Sequence, residues 1–321
     1  MALHLIEPER ATLHGQFSRD LAPTLTIDSG DTVRYRTLDV SWGMEQHGAP
    51  GTPREKFGPR LAGRDDGPAL CGPVAVRGAE PGMTLAIHIE VVQPVSWGWT
   101  WAGASPFNAA LNAALGVVDA PEVLIRWRLD TEAMVGLSEH GHTVALRPFL
   151  GTMGMPPEAP GLHTGWHPRR QGGNIDCKEL VAGSTLYLPV AVPGGLVSVG
   201  DGHAAQGDGE VAGTAIECPM ERVDLRYVIH DELRIGAPRA QTPAGWVTMG
   251  FGEDLEAATV MALAEMLDLI EDAYAVSRNE ALALASLAVD LRITQLVNGV
   301  VGVHAVLPHG AVCEGVGGVD L

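Results

Sequence analysis

The chain is poor in cysteine, in aromatic residues and in basic charge, and each shortage closes off a class of protein. Four cysteines in 321 residues, Cys71, Cys177, Cys218 and Cys313, lie far apart and form no C-x-x-C pair. That spacing argues against a disulfide scaffold or a structural zinc site, and reduced thiols are expected. Only 21 Lys and Arg stand against 39 Asp and Glu, a formal net charge of −18. Nucleic acid and anionic membranes bind cationic faces, so neither is an expected partner. No apolar run approaches the length that spans a bilayer. The first residues carry no basic n-region and no sustained apolar h-region, so no signal peptide is visible and cytoplasmic residence is the expectation.

What the chain does have is apolar content, 46% of residues, and frequent punctuation by 40 Gly and 22 Pro, which favours many short strands over helices. Val33, Tyr35 and Thr37 alternate with Thr32, Arg34 and Arg36; Leu85, Ile87, Ile89 and Val91 alternate with Ala86, His88 and Glu90; and residues 222–229 repeat the pattern. These are antiparallel strands with one buried face, and His88 is read as solvated. Helices are expected only in the last quarter. Leu255, Ala258, Ala262, Met266 and Leu269 mark an amphipathic helix within 252–274. Ser277 and Glu280 form a capping-box signature that opens a second helix to about Leu291, and a strand with a packed His304 follows at 300–307. No repeat or low-complexity linker divides the chain. One unit over 1–321 is expected, a β-rich half (1–150) and a motif-bearing half (151–321) that are not independent.

The densest chemistry lies in Gly172-Gly173-Asn174-Ile175-Asp176 and in Gly200-Asp201-Gly202-His203-Ala204-Ala205-Gln206-Gly207-Asp208-Gly209-Glu210. The glycines free the backbone for positive φ and close approach. Residues 196–199 read as a strand that runs into a turn, so Asp201 and His203, two residues apart, face one side. A carboxylate and an imidazole that converge can ligate a divalent cation or act as an acid/base pair. Turn chemistry alone would explain any one of these residues. Asn174, Asp176, Asp201, His203, Gln206, Asp208 and Glu210 together point to a site.

Lesser candidates are Asp39, Glu45 and His47, in an irregular segment that reaches about Asp66, and His163 and His167. Trp97, Trp99 and Trp101 share one strand face, read as packing or a subunit contact rather than a pocket wall. Cys177-Lys178-Glu179 has the residue types of a nitrilase triad, but three consecutive side chains splay apart and cannot meet at one carbon.

The two motifs, with the continuation Gly213-Thr214-Ala215-Ile216-Glu217, resemble the acetamidase/formamidase family, which is unrelated to the nitrilase-type amidases. Arg147-Pro148-Phe149-Leu150-Gly151, Gly72-Pro73, Gly78 to Gly82 and Asp290 to Asn298 support the resemblance, which covers nearly the whole chain. It implies a mainly β (α+β) fold with an antiparallel sandwich or jelly-roll-like core and added helices. It also implies hydrolysis of a short linear amide such as formamide or acetamide, a divalent metal (zinc, with calcium as the other choice) and a homo-oligomer. A cyclic amide substrate, or a non-catalytic protein that binds an amide or a metal, are the alternatives. The segment Trp42 to Asp66 departs from the family pattern, which bears on substrate size.

In that frame Asp176, Asp201 and His203 would hold the cation, with Glu217 as a further ligand or a partner that orients His203. Glu210 would serve as general base and then acid, and Asn174 or a backbone N–H of the glycine-rich loop would stabilise the oxyanion. Asp208, in the same glycine-flanked run, is a further catalytic candidate.

Overall fold

The computed structural model describes residues 1–48, 52–103, 109–118 and 120–313. A nine-stranded sheet runs in the order Leu3–Ile6, Thr32–Tyr35, Met220–His230, Thr84–Pro94, Thr185–Pro189, Arg239–Thr242, Gly245–Gly252, Val301–Pro308 and Asp290–Gln295. A six-stranded sheet is centred on Phe149–Gly154, Val197–His203 and Leu70–Val76. Val33, Tyr35, Ile87, Leu186 and Leu225 of the first sheet share one buried cluster with Cys71, Val74, Leu150, Met153 and Val199 of the second. The two sheets therefore face each other across a common core. A four-stranded sheet of Trp97–Ala102, Val123–Asp130, Val135–Ser138 and Thr143–Ala145 stands beside them.

The fold is mainly β with antiparallel sheets, as the alternating patterns predict, apart from two parallel pairings: Leu3–Ile6 on Thr32–Tyr35 and Leu25–Ile27 on Leu70–Val76. Helices Leu255–Tyr274 and Arg278–Ala288 cover the Val301–Pro308 strand through Ala258, Ala262, Met266, Ala281 and Ala285, packed on Val303, Ala305 and Leu307. The Ser277–Glu280 capping box is present. The second helix ends before the expected Leu291, because Asp290–Gln295 pairs with Val301–Pro308 as a strand. A short helix, Ala109–Ala114, lies outside the quarter where helices were expected. His88 is half-buried rather than solvated, its Nδ1 2.9 Å from Thr185 Oγ1, because its strand is central in the sheet. His304 is buried, as expected. The four cysteines are free, and among the described residues no helix is long and apolar enough to cross a membrane.

Candidate active site

The Val197–His203 strand delivers Asp201 and His203 to one point. In place of the expected turn after residue 199, it stays paired with Phe149–Gly154, in the register Phe149↔His203, Leu150↔Gly202 and Thr152↔Gly200. Gly151 lies between the last two pairs. A Cβ there would collide with Asp176 Oδ1 and would come within 2.6 Å of Asp201 Oδ2 and 2.9 Å of His203 Cε1. Its missing side chain is the space in which the polar groups meet. Gly202 also serves close approach: a Cβ would lie 2.5 Å from the Cys218 carbonyl oxygen on the next segment.

Asp176 (φ 53°), Asp201 (φ 60°) and Glu210 (φ 44°) are three of the seven non-glycine residues with positive φ among the described residues. A left-handed backbone is uncommon for residues with a side chain, costs about 1–3 kcal/mol and clusters where function demands it. Here it swings three carboxylates from different segments into one buried volume.

His203 Nε2 lies 3.1 Å from Asp201 Oδ1 and 3.3 Å from Glu217 Oε1. On the other side of the ring, Nδ1 is 2.9 Å from Gln206 Oε1, while Gln206 Nε2 donates to the Asp176 carbonyl at 2.8 Å. That second bond orients the amide, so Oε1 accepts and His203 Nδ1 carries a proton. Nε2 is then the atom that meets two carboxylates. Two acceptors facing it call for a proton or a cation between them, on the ring, on a carboxyl group or as a bound metal. Asn298 Nδ2 donates to Asp176 Oδ2, and Thr152 Oγ1 donates to Asn174 Oδ1 at 2.5 Å.

The electrostatics follow from four carboxylic acids gathered out of water. Burial, then the neighbouring Asp201 charge, pushes Asp176 up to about 7. Burial, then Asp176, holds Glu210 well above the usual carboxylate range, and burial raises Glu217. Burial opposes charging of His203, but Glu217 and Asp201 outweigh it and raise the imidazole well above its ordinary value.

A divalent cation fits these residues. Asp176 Oδ1 and Glu217 Oε2 are buried acceptors without a hydrogen-bond partner, an expensive arrangement unless something positive faces them. Two overlapping groups, Asp176/His203/Glu210 and Asp201/His203/Glu217, place one possible ligand atom from each residue within 4.8 Å of the others. Carboxylate oxygens with one imidazole suit a hard or borderline cation.

Asn174, Asp201, Glu210, Glu217 and Asn298 line a cavity of about 190 Å³, together with Val40, Ser41, Trp99, Trp166, Thr214 and Val297. Six of the seven predicted residues, Asn174, Asp176, Asp201, His203, Glu210 and Glu217, thus belong to the cluster or line the cavity beside it. Asp208 does not. Its carboxylate turns to Lys178 Nζ at 2.7 Å and lines a neighbouring depression, because the Gly207–Gly209 turn points it away. Asp39, a lesser candidate, is fully buried behind Trp99, while Glu45 is exposed and His163 and His167 lie outside the cavity lining. Trp99 lines the cavity, a correction to its expected role in packing or a subunit contact rather than a pocket wall. Gly151, Thr152 and Asn298 are contributors that composition could not single out, although Gly151 and Asn298 sit at the ends of two supporting motifs. Glu179, in the misleading Cys-Lys-Glu run, is paired with Arg147 and Arg292.

The model of the Acetamidase/Formamidase family matches residues 160–310, which carry most of this cluster. An acetamidase structure from Bacillus halodurans superposes with a TM-score of 0.81 at 25% identity, covering 95% of this chain and 97% of that one. The matched segment, just under half of this chain, is similar to the acetamidase/formamidase family. A Schizosaccharomyces pombe protein that carries the formamidase name is 27% identical over 64% of this chain, and the match spans 60% of that relative's length. A gamma lactamase structure from Delftia acidovorans, with a TM-score of 0.60 at 19% identity, shares the fold alone.

Proposed function

We propose that this protein belongs to the acetamidase/formamidase family and hydrolyses a short linear amide, such as formamide or acetamide, to the carboxylate and ammonia with the help of a divalent metal. The observation that carries the proposal is the buried carboxylate–histidine cluster beside a cavity of about 190 Å³. Sites for drug-sized ligands run to roughly 300–1,000 Å³, so a substrate of a few heavy atoms suits this one.

Asp201, His203 and Glu217 would hold the metal, with Asp176 beside them; zinc matches the imidazole, and calcium is the alternative for the oxygens. When bound, such an ion lowers the pKa of water to about 7 and polarises a carbonyl. Glu210, buried, lining the cavity and held above the usual carboxylate range, suits a carrier that takes the proton of the attacking water and passes it to the departing nitrogen. Thr152 occupies Oδ1 of Asn174, which leaves the Asn174 amide N–H₂ as the donor for oxygen charge that develops in the cavity. A homo-oligomer remains part of this proposal, and the exposed Leu291 and Ile293 on the edge strand Asp290–Gln295 are consistent with a subunit contact. No feature of the site favours a cyclic amide.

The test is ammonia release from formamide and acetamide, before and after treatment with a chelator, with elemental analysis of the purified protein. Turnover that the chelator removes and added metal restores is expected. A protein that binds a metal yet releases no ammonia from either amide would be a non-catalytic binder instead.

A further inference from the structure

Trp99 is held by three side chains. Its indole Nε1 donates to Asp39 Oδ2 at 2.9 Å, the Arg54 guanidinium lies over its ring at 5.4 Å, and His47 meets it edge-on at 4.9 Å. Asp39 is fully buried. It is ion-paired with Arg54, and its Oδ1 accepts from the Gly43 N–H at 2.7 Å and the Ser41 N–H at 3.0 Å. The same carboxylate therefore sets the indole and shapes the loop that brings Val40 and Ser41 to the cavity.

Trp99 is also tied to the acidic cluster through the backbone. Its N–H donates to the Glu217 carbonyl at 2.9 Å, and the Glu217 N–H donates to the Trp99 carbonyl at 2.8 Å. Residues opposed in an antiparallel bridge project to the same face. Two hydrogen bonds thus fix the backbone spacing of the two residues, and the Asp39 bond to Nε1 sets the direction of the indole.

We infer that Trp99 is the wall that limits the acyl chain of the substrate, and that Asp39 is the positioning residue that holds this wall in place. The inference deepens the amidase proposal and rests on it for the identity of the reacting group. An amide carbonyl placed at the cluster leaves its acyl substituent in the rest of the cavity, whose apolar lining is Val40, Trp99, Trp166 and Val297. A volume of about 190 Å³ is that of about six waters at ~30 Å³ each, room for a substituent of few carbons.

The experiment compares formamide, acetamide, propionamide, butyramide and N-methylacetamide as substrates of the wild type, Trp99→Phe, Trp99→Ala and Asp39→Asn, with circular dichroism to confirm folding. A pocket that excludes one methylene discriminates by about tenfold or more. Trp99→Ala should therefore improve kcat/KM for butyramide relative to acetamide at least tenfold, through KM more than kcat. Trp99→Phe should shift the preference in the same direction by less. Asp39→Asn, which keeps the indole but weakens its anchor, should blur the chain-length preference while the folded structure persists. Calorimetric binding of acetate, propionate and butyrate to the same proteins asks the question without turnover. If the wild type releases no ammonia, the amidase proposal fails, yet a Trp99-dependent binding series would still support the wall. Chain-length profiles that stay parallel in all variants would overturn the inference. So would a gain confined to N-methylacetamide, which would put the nitrogen substituent against the indole.

Discussion

Gln206 and His203 orient each other: Oε1 of the amide receives the Nδ1–H of the imidazole at 2.9 Å because the amide nitrogen is already engaged by the Asp176 carbonyl. The pairing leaves Nε2 for the carboxylates of Asp201 and Glu217. Groups that hold the far side of a metal-binding imidazole typically matter by 10–100-fold in affinity or activity. Gln206→Leu should weaken divalent-metal affinity by about that factor, measured by titration calorimetry, with little change in secondary structure. Unchanged affinity would mean that Nε2 does not bind the metal.

Gly151→Ala puts a methyl group where three polar side chains converge. Overpacking of this kind typically costs about 1–3 kcal/mol. A lower thermal midpoint together with loss of bound metal is expected, whereas a methyl at exposed Gly207, with nothing within 4 Å, should leave both unchanged. Full metal content in Gly151→Ala would show that the ion sits elsewhere.

Acid should weaken the fold through two buried histidines that are not members of the cluster. Burial pushes His14 and His304 down to about 4. Each side chain takes up its proton near pH 6.5 when unfolded but only near pH 4 when folded. The unfolded chain therefore binds more protons in that window, and stability falls as pH drops from about 6.5 to 4. The loss is on the order of 3 kcal/mol for each histidine. Urea unfolding should show His304→Gln losing less stability than the wild type across this window. A parallel pair of curves would contradict the assignment.

Asp208→Asn separates the cavity from its surroundings. Asp208 pairs with Lys178 at a partly exposed position, where an ion pair contributes roughly 0–1 kcal/mol. Amidase activity should stay within about twofold of wild type, while Glu210→Gln should abolish it. Retained metal in Glu210→Gln would identify the residue as the proton carrier, and lost metal would make it a ligand.

Much of this was readable from the chain. The alternation around Ile87 and Leu225 marked strands, and the Ser277–Glu280 box marked a helix start to the residue, because both signals are local. The motif residues converge because their spacing is tied to strand geometry. What stayed hidden depends on contacts distant in sequence. Asp208 looks equivalent to its acidic neighbours until the turn at 207–209 is built and Lys178 comes into range. Trp99 reads as one of three alternating indoles until Asp39, 60 residues earlier, accepts a hydrogen bond from its Nε1. The end of the second helix was misplaced because Asp290–Gln295 gains a strand partner that no helical preference encodes.

The left-handed backbone at Asp176, Asp201 and Glu210 is imposed by the surrounding sheets, since each residue would relax elsewhere if released. The carboxylate cage is accordingly more fragile than the architecture that supports it. On gentle heating, catalytic competence should fade while the circular dichroism of the strands is still intact, and the working lifetime of this protein will be shorter than its structural one.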